Sequence, residues 1–437
     1  MSDVQIGLLT ILGILILVQS GMHVAVALIV LSFVGVWAIK DNWTIAGSML
    51  QLTAYEGIKA YNFGVIPLFV LMGLLVSVSG IGSDTFRVAA QAFRKLRGGL
   101  GVSTVAANAI FAAVNGSSIA SASVFTKIAV PELLRLGYTP RFAVGVVAGS
   151  SVLGMLIPPS MLLIVLGIAA ELSIGDLFTA GIMPGILLAA AFCVTIMILV
   201  RFFPGFVGEG GIRSNEDMDL MPTSEMLKKV TPIVLLIMVV LGGIYGGIFT
   251  PIEAGAVGAL GALILTILRR KLNRQVLWRV LIETGYVASS ILFLLVAAHL
   301  YSNMLALSGL PYNISQWVAE SGLGFWPVLG LYLLIIILMG TILDSPSIIL
   351  IVVPLIVPIM TGFEVHLIWF GIVTIIAVEI GLLTPPFGLA CFTIKTNLDD
   401  PRITLNDIFI GAAPFVLTML VVLGIVVAVP WLALGLL

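Results

Sequence analysis

The chain has 437 residues, of which 60% are hydrophobic and only 9% are charged, and its formal net charge is −1. Soluble domains carry roughly 25% charged residues, so this composition excludes an ordinary soluble protein and gives no indication of a nucleic-acid partner. Apolar runs of membrane-spanning length recur along the chain, without the short alternating segments of a transmembrane barrel. The sequence therefore predicts an all-α polytopic membrane protein surrounded by lipid.

Basic residues are concentrated in a few of the segments that join the apolar runs. The clusters span residues 87–97, 201–229, 269–279 and 395–402. Because cytoplasmic loops of membrane proteins carry an excess of Lys and Arg, we place all four clusters in the cytoplasm. Only Lys40 and Lys59 then lie clearly outside, and both the N-terminus and the C-terminus are expected on the outer, periplasmic side.

The first half of the chain, residues 1–203, contains several different kinds of apolar segment. Its scaffold helices (5–80) are predicted at 5–19, 22–39 and 62–80, with an amphipathic interfacial segment at 42–60. The stretch 101–137 is apolar at both ends and polar at "NGSSIASAS" in its middle. Both ends lie near cytoplasmic charges, so we predict a re-entrant helical hairpin there. A broken helix at 140–170 and a helix at 178–203 complete this half.

Two adjacent prolines interrupt the run at 140–170, in "LGMLIPPSMLL" (153–163). Prolines remove backbone donors and break helices. Because hydrocarbon offers no partner to the freed carbonyls, such a break is tolerated only where protein packs around it or where it lines a cavity. A second copy occurs at 380–390, "IGLLTPPFGLA". We therefore predict two broken helices whose exposed backbone groups line a polar, ion-sized site.

The order of elements repeats after a polar segment, 204–229, which is predicted to be a cytoplasmic linker. The second half, 230–437, is predicted to contain scaffold helices within 230–307, a hairpin at 326–362, a broken helix at 367–394 and a helix at 408–435. Both ends of this second hairpin are expected on the outer side, so the two halves are predicted to be inverted repeats. Such repeats with interrupted helices are typical of secondary transporters that bind substrate near the membrane midplane.

Polar residues at the two predicted hairpin tips are candidate ligands for a cation. The first tip carries Asn115, Ser117, Ser118, Ser121 and Ser123, and the second carries Asp344, Ser345 and Ser347. Hard cations such as Na⁺ prefer oxygen ligands, and an acidic side chain at membrane depth indicates function. Two alternatives stay open: small polar residues also allow close helix packing, and Asp or Ser before Pro is a common helix N-cap.

Two further acids lie near helix ends or breaks. For Glu253 a structural role at the membrane interface and an ionic role are equally compatible with the sequence. Glu379, upstream of Thr384, is expected to accept amide hydrogen bonds from the broken loop rather than to contact an ion. The three histidines are scattered without metal-ligand spacing.

The remaining functional classes require different sequence features. No nucleotide-binding motif occurs, so neither direct ATP drive nor an organic cofactor is expected. A membrane-embedded serine hydrolase using Ser118 or Ser121 would need a base, and no histidine has a credible relation to these serines. A channel is a third alternative, although the repeated tips favour alternating access.

Four ordered segments resemble the large membrane subunit of tripartite ATP-independent periplasmic (TRAP) transporters. They are residues 148–185, 242–259, 343–359 and 379–392. The resemblance covers essentially the whole chain and implies an elevator-type, sodium-coupled importer of small organic anions, carboxylates or sulfonates, in the bacterial inner membrane. It also implies a small four-helix membrane subunit and a periplasmic substrate-binding protein. A stand-alone ion-coupled organic-anion transporter of related fold is the alternative.

The resemblance also maps the family's two hairpin tips and two broken helices onto this chain. The matching segments are Asn115–Ser118, Gly154–Ser160, Asp344–Ser347 and Gly381–Pro386. Two or more transported Na⁺ ions are expected there. Their predicted ligands are Asn115, Ser117, Ser118, Gly154, Met155 and Ile157 in the first half, and Asp344, Ser345, Gly381, Leu383 and Thr384 in the second. The predicted contacts of the organic anion are Ser118, Ser121, Pro159, Ser160, Ser347, Thr384 and Pro385.

Overall fold

The structure is a computed structural model that describes residues 1–211, 220–398 and 400–437. Residues 212–219, in the middle of the predicted linker, lie outside the described residues. Within the described ranges the chain forms helices and no strand.

The α-helices are numbered in chain order. Those of the first half are α1 (Asp3–Gln19), α2 (Val24–Lys40), α3 (Trp43–Lys59), α4 (Val65–Val78), α5 (Ile81–Ala92), α6 (Gly99–Asn115), α7 (Ser118–Arg135), α8 (Pro140–Ser151), α9 (Leu153–Leu156), α10 (Met161–Ala169), α11 (Ile174–Phe202) and α12 (Pro204–Val207). Those of the second half are α13 (Thr223–Tyr245), α14 (Pro251–Leu268), α15 (Arg274–Ser308), α16 (Leu310–Glu320), α17 (Phe325–Gly340), α18 (Ser345–Gly362), α19 (Leu367–Leu382), α20 (Leu389–Asn397), α21 (Leu405–Ala428) and α22 (Trp431–Leu434).

Seven helical segments of the described chain are long and apolar enough to cross a membrane. They are Tyr61–Val78, α11, α13, α14, α15, α18 and α21. A further five helices, α1, α2, α6, α17 and α19, are apolar but have 17 residues or fewer. A span needs roughly 17–25 apolar residues, so the seven longer segments indicate an integral membrane protein.

Each predicted hairpin consists of two helices that meet at a short polar turn. The stretch predicted at 101–137 forms α6 and α7, and the stretch predicted at 326–362 forms α17 and α18. The broken helices also occur where the proline pairs lie. The first bends by 43° between Leu156 and Met161, and in the second α19 and α20 are separated by residues 383–388.

Two helices lie in segments for which the sequence predicted no element, residues 82–99 and 309–325. The helices α5 and α16 lie there, one immediately before each hairpin. Both bury a narrow apolar stripe, which includes Ile81 and Phe86 in α5 and Leu310 in α16. Such a stripe stabilises a surface helix through packing, but the remaining residues are too polar for a spanning segment. The structure divides the range of the last predicted helix, 408–435, into α21, which ends before Pro430, and the short helix α22.

The helices pack in two groups. In the scaffold group (α1–α4 and α13–α15), α4 lies against α14 and α15, and α2 against α15. In the hairpin group (α6–α11 and α17–α22), α8 lies against α21 and α17 against α19. The hairpin helix α6 also touches α4, and the hairpin helix α18 also touches α15. The hairpins therefore lie at the boundary between the two groups.

A charged cluster attaches the amphipathic helix α5 to the scaffold group. Asp84 of α5 accepts a hydrogen bond from Lys229 Nζ of α13 at 2.9 Å and another from Arg269, which follows α14. Burial raises the pKa of Asp84, but the two cations lower it by more and leave it below its ordinary value. The three segments, all predicted to be cytoplasmic, therefore meet on one side of the molecule.

Candidate functional site

The first hairpin tip packs against the first proline loop through glycines. The backbone N–H of Met161, at the start of α10, donates to the Gly116 carbonyl at 3.1 Å. A Cβ on Gly154 would lie only 2.7 Å from the Ser117 carbonyl oxygen, and one on Gly116 would lie 2.7 Å from the Pro159 oxygen. Real Cβ atoms do not approach so closely, so these contacts require glycine. Gly116 also has φ +65°, which glycine adopts without strain.

The polar side chains of this first unit are satisfied mostly by nearby backbone. Asn115 Nδ2 donates to the Ser117 carbonyl at 3.1 Å, and Ser117 Oγ accepts from the Ala120 N–H at 3.3 Å as the N-cap of α7. Ser160 caps α10 and donates to the Met155 carbonyl. These local hydrogen bonds hold the turn. The atoms there that could bind a cation are hydroxyl, amide and carbonyl oxygens.

The first proline loop also contacts α11. The Ile157 side chain lies against Gly185, where a Cβ would be 2.8 Å from Ile157 Cγ1, and the Leu156 carbonyl lies against Gly181. Pro158 and Pro159 are both buried. The loop is therefore enclosed by protein on all the sides that the structure describes, as a break at membrane depth requires.

The second unit has the same parts but a more open loop. The backbones of Gly340 and Gly381 touch, since a Cβ on Gly381 would lie 2.5 Å from the Gly340 Cα. Asp344 is the N-cap residue of α18 and accepts from Ser347 Oγ at 2.6 Å. Thr384 is half-buried and donates to the Ile380 carbonyl at 2.7 Å. The end of α17 is thus fixed against the end of α19.

The loop that follows Thr384 differs from its counterpart in the first half. Pro385 and Pro386 are exposed, and no side chain of the other predicted anion contacts forms a hydrogen bond with this loop among the described residues. Of the predicted site residues in this loop, Pro385 is thus exposed, Thr384 is half-buried and Leu383 is buried.

Glu379 joins the two units. Its side chain lies on α19 and is 1% exposed. One carboxylate oxygen accepts from Ser118 Oγ at 2.6 Å and the other accepts from Ser345 Oγ at 3.2 Å. Sequence reasoning expected this acid to accept amides of the broken loop, and the structure instead gives it the serines of both hairpin tips. The only signal in the sequence was the presence of an acid inside an apolar run. Its two serine partners could not be predicted, because they lie 261 and 34 residues away.

Two other serines of the first tip have different environments. Ser121 is fully buried, and its Oγ has no hydrogen-bond partner among the described residues, which is uncommon for a buried hydroxyl. Ser123 Oγ donates to Asn397 Oδ1 of α20 at 3.0 Å. Ser123 therefore links α7 to α20, whereas Ser121 has an unused hydroxyl one turn from Ser117.

Glu253 is a helix cap. Its carboxylate accepts from the backbone N–H of Thr250 at 2.8 Å, and Thr250 Oγ1 accepts from the Glu253 N–H at 3.4 Å, a capping box at the start of α14. Of the two roles compatible with the sequence, structural and ionic, the structure thus shows the structural one for Glu253.

The described residues do not form a metal site of the zinc or iron type. No three His, Cys, Asp or Glu side chains come together among them. A cation at the hairpin tips would therefore be held by hydroxyl, amide and carbonyl oxygens, with the carboxylates of Glu379 and Asp344 nearby. Oxygen ligands of this kind suit a hard cation.

A family model and curated relatives match nearly the whole chain. The model described as "Tripartite ATP-independent periplasmic transporter, DctM component" matches residues 11–432. The C4-dicarboxylate TRAP transporter large permease protein DctM of Pseudomonas aeruginosa is 32% identical over 391 residues, covering 89% of this chain and 88% of that protein. The protein of the same description from Rhodobacter capsulatus is 30% identical over 446 residues and covers 98% of each chain.

A solved structure shows a similar fold. The YdaH transporter of Alcanivorax borkumensis aligns with a TM-score of 0.58 at 15% identity, covering 88% of this chain and 89% of that chain. At that identity the similarity concerns the fold alone. The relatives, by contrast, are permease subunits of transporters and not enzymes, which confirms the prediction that the chain is not an enzyme. The chain belongs to the DctM family, the large permease component of tripartite ATP-independent periplasmic transporters.

Proposed function

We propose that this chain is the transport subunit of a TRAP system that imports a small organic anion, a carboxylate or a sulfonate, together with sodium. The observation that carries the proposal is the pairing of each hairpin tip with a proline-interrupted helix. The first pair is buried, the second has an exposed proline loop, and both offer hydroxyl and carbonyl oxygens. The relatives named for C4-dicarboxylates support a carboxylate as the substrate.

The charges of the site support sodium coupling. Each unit can hold one Na⁺ with oxygen ligands from its tip and from its broken helix. The cations would offset the charge of Glu379, which forms no ion pair with a basic residue among the described residues. Binding of an anion nearby would then cost less, and coupling of this kind is typically about 1–3 kcal/mol.

The anion would lie between the two units, at the positive ends of half-helices. The N-termini of α7, α10 and α18 begin at the tips and at the first proline loop. Helix N-termini favour anions because their free N–H groups and their dipoles point at the ligand. Ser121, with its unused buried hydroxyl, is a further candidate contact.

Movement of the hairpin group against the scaffold group would provide alternating access. The position of both hairpins at the boundary between the groups supports an elevator mechanism with inverted repeats. The cluster of Asp84, Lys229 and Arg269 supports a common cytoplasmic side for three basic segments, which is the orientation that leaves both termini periplasmic in a bacterial inner membrane.

The partners would be a small four-helix membrane subunit and a periplasmic substrate-binding protein. We place the small subunit against α3, whose surface exposes large aromatic and aliphatic side chains, namely Trp43, Leu52, Tyr55 and the following Tyr61. An exposed apolar surface of this kind is expected at a contact with another membrane helix or with lipid.

Uptake measured against sodium concentration tests the proposal. The wild type and the variants Ser117→Ala, Ser345→Ala and Thr384→Ala are reconstituted with the two partners, and Ile186→Ala, at a 63% exposed position of α11, is the control. We expect the wild type and the control to need sodium, and the tip variants to need more of it. Wild-type rates and wild-type sodium dependence in all three tip variants would contradict the site.

A further inference from the structure

We propose that Glu379 is a positioning residue that couples the two hairpin tips, so that cation binding at one tip changes the sodium affinity of the other. This inference rests on the proposed sodium-coupled function. It concerns the link between the two cation sites, which the hydrogen bonds of Glu379 with Ser118 and Ser345 provide.

The hydrogen-bond geometry makes Glu379 a shared partner. Ser118 and Ser345 bind opposite oxygens of one carboxylate, at 2.6 and 3.2 Å. A serine hydroxyl has one O–H to donate and two lone pairs. Since each O–H points at the carboxylate, the lone pairs of each serine point elsewhere and are free to accept or to bind a cation. Glu379 therefore orients both hydroxyls as ligands.

The two serines hold the same position in their hairpins. Ser118 is the first residue of α7 and Ser345 is the first residue of α18, directly after the N-caps Ser117 and Asp344. Glu379 thus lies at the N-terminal ends of two 18-residue helices. Helix N-termini stabilise negative charge, so movement of either tip away from the carboxylate would remove part of what stabilises it.

Electrostatics make this carboxylate sensitive to its surroundings. Among the described residues Glu379 is the only buried acidic or basic side chain. A buried charge that lacks an opposite charge is costly. Hydroxyls and helix ends offset only part of that cost, and a cation at either tip would offset more. The first cation bound would therefore change the electrostatic field at the second tip.

The helix that carries Glu379 is held firmly, so the carboxylate has a fixed reference position. Nearly all of α19 is buried. Its Thr374 Oγ1 lies 2.8 Å from the Tyr332 hydroxyl of α17, and Trp369 Nε1 donates to the Val426 carbonyl of α21 at 2.9 Å. Displacement of one tip would act on the carboxylate and its other serine, rather than be absorbed by a shift of α19.

A merely structural clamp would have different consequences. If Glu379 only pinned the tips in place, its replacement would lower stability and maximal uptake without changing the cooperativity of sodium activation. If it couples the tips, the Hill coefficient for sodium changes, and the effects of Ser118→Ala and Ser345→Ala depend on each other only while Glu379 is present.

The experiment is a mutant cycle measured by sodium activation of uptake in proteoliposomes containing the partner subunits. We expect Glu379→Gln to lower the Hill coefficient toward one, and Glu379→Asp, which keeps the charge, to preserve cooperativity with a higher half-saturating sodium concentration. Ser118→Ala and Ser345→Ala should be non-additive in the wild-type background, by about fivefold or more in half-saturation, and additive beside Glu379→Gln. Thr374→Val, which removes a different buried bond of α19, should keep the wild-type Hill coefficient.

A second measurement needs no transport. Hydrogen–deuterium exchange without sodium reports the opening of each tip separately. We expect Ser118→Ala to increase exchange at the second tip, 341–348, as well as at its own, and this remote effect to vanish beside Glu379→Gln. An unchanged Hill coefficient in Glu379→Gln, or exchange confined to the mutated tip, would overturn the coupling. Sodium-independent uptake by the wild type would instead overturn the proposed function, and the exchange data would still decide on Glu379.

Discussion

Glycines without room for a Cβ fix the first hairpin tip against the first proline loop. Gly154 lies on the Ser117 carbonyl, and Gly116 lies on the Pro159 carbonyl. Both neighbours are backbone atoms, which cannot rotate away as a flexible side chain would. The distance between the first hairpin tip and the first proline loop is therefore set by glycines, which carry no side chain at all.

Gly154→Ala should accordingly disrupt the first unit. The new Cβ would meet the Ser117 oxygen at 2.7 Å, and overpacking of this kind costs about 1–3 kcal/mol. We expect lower thermal stability and strongly reduced uptake at equal membrane expression. Gly242→Ala in α13 is the matched control, because nothing lies within 4 Å of a Cβ there. Equal uptake by the two variants would contradict the tight contact.

Ser121→Ala should separate binding from stability. The Ser121 hydroxyl is buried and forms no hydrogen bond among the described residues, so replacing it with a methyl group should leave the unfolding temperature unchanged or slightly higher. If the hydroxyl contacts the transported anion, the half-saturating substrate concentration rises. Unfolding and uptake of the same preparation measure both, and a lower unfolding temperature with unchanged uptake would show that the role is structural.

Residue types near the site were predictable where they break an apolar context. The proline pairs stand out in the sequence because prolines break helices, and the serines of the first tip stand out because several polar residues are clustered inside an apolar run. The bond from Ser118 to Glu379 was not predictable, because the two residues are 261 positions apart and lie on different helices. The burial of the Ser121 hydroxyl without a hydrogen-bond partner among the described residues depends on tertiary packing and was not predictable either.

At the level of elements, the strongly apolar helices and the amphipathic helix α3 were predicted, whereas the amphipathic helices α5 and α16 were missed. A spanning run is recognised because nearly all of its residues are apolar, whereas α5 and α16 depend on a few buried residues on one face. These two helices join the scaffold group to the hairpins. The segments that would connect a fixed part to a moving part are therefore those with the weakest signal in the sequence.

Asp84→Asn tests the attachment of α5. Asp84 bonds with Lys229 and Arg269, and all three side chains are about one-fifth exposed, so we expect a loss of about 1–2 kcal/mol of stability. Because the pKa of Asp84 is lowered on folding, the contribution is present above the ordinary value of 3.8 and is lost as the pH falls through the lower folded value. Thermal unfolding at neutral pH should separate the variant from the wild type, and the difference should shrink in acid. A constant difference at all pH values would contradict this account.

At the scale of the whole molecule, the division into a scaffold group and a hairpin group predicts which contacts must break during transport. A cavity of about 620 Å³ lies between the groups, lined by Glu56 of α3, Leu172 of the α10–α11 connection and His299 of α15. Within the scaffold group, Asn303 of α15 donates to Thr53 of α3 at 3.3 Å. The cavity thus separates residues of the two groups, whereas the hydrogen bond joins two scaffold helices.

Cross-linking of engineered cysteines distinguishes the two kinds of pair. In a background without Cys193 and Cys391, a thiol cross-linker joining Glu56→Cys to Leu172→Cys should stop uptake, and reduction should restore it. A cross-link between Thr53→Cys and Asn303→Cys should leave uptake intact. Full transport with the first pair joined would show that the two groups do not move against each other.

The central claim is that sodium drives uptake through this chain. The most direct measurement is uptake of the labelled anion into proteoliposomes that contain the large permease, its small subunit and the binding protein, under an inward sodium gradient or with potassium on both sides. We predict accumulation with the sodium gradient, none with potassium alone, and no stimulation by ATP, since the sequence has no nucleotide-binding motif. Full accumulation with potassium on both sides and no sodium would contradict the account.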